Sequence, residues 1–139
     1  MDRYNAEGYP DPTAAEAIEN IMREEKSRNY KPCVFICSPF AGDIEENLKK
    51  ARGYLKFAVE QGTIPFAPHL LYPQVLDDSD PEQRKLGLFF GMVWLRKCEE
   101  LWVFGPYISK GMQAEIDKAS KHRMTIRYFT ENCEEVQKI

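Results

Sequence analysis

The 139-residue chain sets 19 Lys and Arg against 22 Asp and Glu, for a net charge of -3 and a pI near 5.5. With no long basic cluster, that balance excludes a nucleic-acid binder working by phosphate neutralisation, and no run of about 18 apolar residues is present to span a membrane. The length suits one domain that buries roughly two-thirds of its unfolded surface. Cys33, Cys37, Cys98 and Cys133 have neither CxxC spacing nor a disulfide-framework pattern, so they read as reduced thiols in a soluble, cytoplasmic protein with no metal site and no cofactor.

Residues 1–12 hold Gly8, Pro10 and Pro12 among polar residues and read as a loose arm. Thr13, with Glu16 at the capping-box position, opens an amphipathic helix that reaches about Arg28. Residues 1–30 are thus expected to form an arm and helix, and 31–139 the main domain. Cys33 to Cys37 is a continuous apolar run, as expected of a central parallel strand covered on both faces. It ends in Ser38-Pro39-Phe40-Ala41-Gly42. Asp43 then caps a helix whose stripe is expected to be Ile44, Leu48, Ala51, Leu55, Ala58 and Val59, closed by Gly62. The unit lacks both GxGxxG and GxxxxGK[ST] spacing, so neither a dinucleotide fingerprint nor a P-loop is supported.

Thr63 to Pro68 reads as a short strand, placed at an edge by its prolines, with His69 just beyond it. A loop follows that ends in Asp77, Asp78 and Asp80, with Asp80 as cap and Pro81 as first residue of the next helix. That helix, to about Cys98, is apolar around too much of its circumference for one sheet face to cover. A homo-oligomer, dimer or higher, is the expected answer, with Gly87 and Gly91 allowing another backbone to approach. Leu101 to Phe104 is a third strand, Gly105-Pro106 a turn, Ser109 or Lys110 to about His122 a helix, and Met124 to Phe129 a fourth strand before a polar tail.

Strands alternating with helices predict right-handed βαβ units in an α/β protein. The third strand should return to the other side of the first, which sets the Ser38–Gly42 turn beside the Ser109–Glu115 turn at a topological switch point. Glu115 falls near the edge of its helix's apolar stripe, about one turn in, with His122 close to the same line. A carboxylate there is partly desolvated yet near the positive end of the dipole. Cys37 with His69 offers only a weak nucleophile pair, while Tyr72, Tyr107, Phe40 and Trp94 are candidates for a base-stacking face.

Val34-Phe35-Ile36-Cys37-Ser38-Pro39-Phe40, Gly62 to His69, Leu101 to Gly105 and Ser109-Lys110-Gly111-Met112-Gln113-Ala114-Glu115-Ile116 together resemble the nucleoside 2-deoxyribosyltransferase-like superfamily over roughly residues 33 to 129. The resemblance implies a Rossmann-like, flavodoxin-type three-layer sandwich with a parallel sheet of four to five strands. It also implies cleavage of an N-glycosidic bond or (deoxy)ribosyl transfer on a nucleoside or nucleoside 5'-monophosphate. Glu115 would be the nucleophile forming a covalent glycosyl-enzyme. Ser109, where the nucleotide-hydrolase branch has Ser and the transferases Asp, would contact a 5'-phosphate with Lys110 and Gly111. Ser38, Pro39, Phe40, Gly42 and Met112 complete the expected binding set. Phe35, Gly91 and Ala41 stand where the family has a tyrosine, an acid and, in the hydrolase branch, a phosphate-holding arginine. Asp77, Asp78, Asp80 or His69 would then supply the acid. Those same three positions support an alternative, a non-catalytic nucleotide-binding module, and the apolar third helix supports another, an oligomeric scaffold without ligand.

Overall fold

The computed structural model describes residues 13–28 and 30–137, except for the side chains of 25–28, so the expected arm at 1–12 lies outside the described residues. The chain divides between Lys31 and Pro32 into two compact units. The first holds α1, Ala14–Arg28. Its start is a reciprocal capping box: the Thr13 N–H donates to Glu16 Oε2 at 3.3 Å and the Glu16 N–H to Thr13 Oγ1 at 3.1 Å.

The second unit is a five-stranded sheet with helices on both faces. In chain order it runs β1 (Cys33–Cys37), α2 (Ile44–Glu60), β2 (Ile64–Phe66), two 3-10 turns (Pro68–Leu70 and Tyr72–Gln74), α3 (Pro81–Lys97), β3 (Glu100–Phe104), α4 (Lys110–Lys121), β4 (Thr125–Phe129) and β5 (Glu135–Val136). The strand order is β2-β1-β3-β4-β5. The first four are parallel, with Phe35 opposite Leu101 and Cys37 opposite Val103, so β3 does return to the other side of β1. β2, with Pro65, is at an edge, where its missing N–H costs no ladder bond. β5 departs from the expected all-parallel sheet: it pairs antiparallel to β4, held by Arg127, which makes a two-pronged bond to Glu135 at 2.8 and 2.6 Å.

Strand alternation sorts the core into two layers. Val34, Ile36, Trp102 and Phe104 point toward α2 and pack with Tyr54, Ala58 and Phe129. Phe35, Cys37, Leu101 and Val103 point the other way, packing with Leu95 of α3 and with Met112, Ile116 and Ala119 of α4. The helical stripe of α2 is turned from the expected one. Ala51, Tyr54 and Ala58 are buried while Ile44 and Val59 are exposed, because the Tyr54 ring stacks on Phe104 at 4.3 Å and outcompetes the smaller side chains for the sheet. Among the described residues, no helix is long and apolar enough to cross a membrane.

Candidate functional site

The carboxyl ends of β1 and β3 open into a cavity of about 290 Å³ between the Ser38–Gly42 turn, the 3-10 turns, α3 and the first turn of α4. Each wall has a local cause. Asn47 of α2 donates to the carbonyls of Phe40 and Ala41 at 3.0 and 2.9 Å, which clamps the first turn, and Gly42 completes it at φ +100°. On the β3 side Gly105, at φ +108°, lets the chain turn beside the Pro39 ring. Ser109 then caps α4, its Oγ accepting the Met112 N–H at 3.2 Å, which leaves the hydroxyl proton able to donate into the cavity.

The opposite wall is built by the loop before α3. Asp80 caps α3 by accepting the Glu82 N–H at 3.1 Å, and Gln83 reaches back to accept the Asp77 N–H at 2.7 Å. Asp77 also accepts from the Ser79 backbone and hydroxyl at 2.9 and 2.6 Å, bonds that hold its carboxyl below the usual range. The His69 ring stacks on Phe40 with centroids 5.0 Å apart, and its Nε2 donates to the Ser38 carbonyl at 3.1 Å. Burial pushes the His69 pKa down, so the ring is neutral near pH 7, with Nδ1 as acceptor.

Glu115 is half-buried at this cavity. Burial pushes its carboxyl up to about 8, against a smaller opposing pull from the Cys37 thiol.

Of the residues singled out from the sequence, Ser38, Phe40, His69, Asp78, Ser109, Lys110, Gly111, Met112 and Glu115 line the one cavity. Pro39 instead borders a smaller hollow of about 70 Å³ with Tyr107. Gly42, Asp77 and Asp80 shape the surrounding turns and are not in the lining. His122 caps the far end of α4 and is exposed. Gly87 and Gly91, expected to let another backbone approach, line the cavity, where a Cβ on Gly87 would meet the Leu76 side chain at 3.5 Å and one on Gly91 would enter open space. Tyr72 also faces in, its Oη accepting the Trp94 indole N–H at 2.6 Å. Sequence reasoning missed Gln83 and Arg84, which line the cavity from the start of α3. The signal was present: Arg84, Gly87 and Gly91 fall on one helix face, and two glycines on one face mark a wall that something else must occupy.

Residues 32–129 match the model of a domain family of unknown function, DUF7768. The chain belongs to this family. The DUF7768 match covers every cavity-lining residue and ends with β4, so β5 lies beyond it. No curated protein matches the chain. Among solved structures, the DUF7768 protein is similar to a 2-deoxyribosyltransferase from the psychrotolerant bacterium Bacillus psychrosaccharolyticus, with a TM-score of 0.60 and 15% identity over 76% of this chain and 77% of that one. At that identity the likeness is one of fold.

Proposed function

We propose that this protein cleaves or transfers the N-glycosidic bond of a nucleoside or nucleoside 5'-monophosphate, with Glu115 as nucleophile. The observation that carries the reading is the placement of the Glu115 carboxyl, pushed up to about 8 by burial, on a cavity that also holds a phosphate-competent helix start and an aromatic stack. When ionised, a half-buried carboxylate at this cavity attracts the positive charge that develops at the anomeric carbon. A Glu115 oxygen bonds to that carbon as the C–N bond breaks, and the electron pair leaves with the base. The base takes a proton from Asp78, or from His69 in its protonated form, the two acid candidates in the lining. Water or a second base then displaces the sugar and restores the carboxylate. Ser109, Lys110 and the α4 N-terminus support a 5'-phosphate, and Arg84 adds positive charge across the cavity. The likeness in fold to a 2-deoxyribosyltransferase supports the same class of bond. No cofactor enters the scheme, and the working unit is proposed to be a homo-oligomer.

A panel of nucleosides and nucleoside 5'-monophosphates, with free base followed by chromatography, tests this. The wild type should release base from at least one, and Glu115→Ala should lower release by about 10³-fold or more with the fold intact. Release from none of them overturns the reading. A second reading, a non-catalytic nucleotide-binding module, draws on Phe35, which is wholly buried and has no hydroxyl to offer, and on Gly91, which brings no acid. It predicts saturable binding by calorimetry without turnover.

A further inference from the structure

Tyr72 opens the second 3-10 turn and lines the cavity from the loop wall. Its ring is held by two others, tilted against Phe90 with centroids 5.2 Å apart and edge-on to Phe66 at 6.4 Å. Trp94 of α3, itself stacked on Phe66 at 5.0 Å, donates its indole N–H to Tyr72 Oη at 2.6 Å. An indole nitrogen only donates, so the phenol oxygen is the acceptor and keeps its own proton. Among the described residues no acceptor takes that proton. With its oxygen occupied and its ring held, Tyr72 therefore offers a ligand a donor and no acceptor. The bond from Trp94 also polarises the O–H, which strengthens what it can donate.

A group that can only donate sorts nucleobases by their exocyclic substituent. An oxo oxygen accepts its proton, whereas an amino group sets N–H against O–H and leaves both unpaired. The same contact bears on bond breaking. As the C–N bond breaks, the electron pair that passes to an oxo base is shared by conjugation with the carbonyl oxygen, and a hydrogen bond to that oxygen strengthens as the charge grows. We propose that Tyr72 is a specificity-determining residue that selects an oxo base by donating its hydroxyl to the exocyclic carbonyl oxygen, with Trp94 as the positioning residue that occupies its acceptor side. This rests on the reading of the cavity as a nucleoside or nucleotide site. No proton is transferred, since Tyr72 keeps its O–H bond throughout.

The test is calorimetric binding to the full chain of two ligand pairs, the 5'-monophosphates of 2'-deoxyinosine and 2'-deoxyadenosine, and those of 2'-deoxyuridine and 2'-deoxycytidine. Within each pair an oxo group replaces an amino group. The wild type should favour the oxo member of at least one pair by about 10- to 100-fold. Tyr72→Phe, which keeps the ring contacts, should weaken that member by a similar factor and change the amino member by less than about twofold. Trp94→Phe keeps an aromatic ring on Phe66 and frees the Tyr72 oxygen to accept, so it should narrow the preference by tightening the amino member. A residue that merely holds the loop in place would weaken both members alike. Equal affinities within both pairs, binding of none of the four, or an equal loss on both members in Tyr72→Phe overturns the proposal. Calorimetry needs no turnover, so absence of base release would sink the nucleophile reading and leave this one standing.

Discussion

Glu115 retains its proton far above the usual carboxylate range because the fold removes water from it without supplying a cation in contact. Its unfolded pKa is near 4.5 and its folded one about 8, so across that interval the native state holds a proton that the unfolded state has released. Stability is therefore complete below about pH 4.5 and falls as pH rises through 8. His69 acts with the opposite sign and in a different window: burial depresses its folded pKa, so it withdraws stability as pH falls through the histidine range. The Glu115 effect is best read above pH 7. Glu115→Gln should stabilise the protein at pH 9 by on the order of 2–4 kcal/mol and leave it nearly unchanged at pH 5, measured by urea unfolding at both values. Equal effects at the two pH values would mean that the carboxyl is not desolvated in solution. At this scale the sequence carried the identity and helical position of Glu115, while the extent of its burial was hidden.

Element starts were legible wherever a side chain bonds to backbone close by. Thr13, Asp43 and Asp80 each cap the helix that the sequence reading assigned to them, and Ser109, which it set with Lys110 at the start of α4, caps that helix, through local bonds that depend on no distant contact. Faces were less legible. The α2 stripe turned toward Tyr54 because a ring stack with Phe104, in a different element, decides which side chains reach the sheet. In α3, apolar residues around the whole circumference hid the fact that Arg84, Gly87 and Gly91 form a cavity wall. That placement makes Gly91 informative. Among the described residues nothing lies within 4 Å of where its Cβ would be, so a side chain there enters open cavity. Gly91→Leu should leave the melting temperature unchanged or raise it, since leaving glycine gains up to about 1 kcal/mol in a helix. Nucleotide binding by calorimetry should fall at least tenfold. A variant that binds as the wild type does would place the ligand elsewhere.

For the whole molecule, the outer face of α3 is the feature that the second unit does not bury. Leu86, Phe89 and Val93 recur at helical spacing, and Phe89 is 62% exposed. A stripe of that size on a single unit is the surface that a second copy of the chain would cover, as proposed above. Light scattering should give the wild type a mass of a dimer or larger, and Phe89→Asp should reduce it to a monomer while keeping its far-UV circular dichroism. A monomeric wild type would leave the stripe to a different partner.

The sequence by itself determined which segments become the first four strands and the α-helices, where each α-helix starts, and the βαβ order that brings two turns to one switch point, because these depend on patterns and bonds within a few residues. Three matters were decided only by the tertiary structure. β5 pairs antiparallel through the Arg127–Glu135 bond, since an unpatterned tail gains a strand's hydrogen bonds only when an edge is already present to receive it. Two glycines on α3 became cavity wall because the 3-10 loop packs beside them. Glu115 acquired its high pKa because desolvation is a property of everything packed around a group, and no spacing along a chain encodes it.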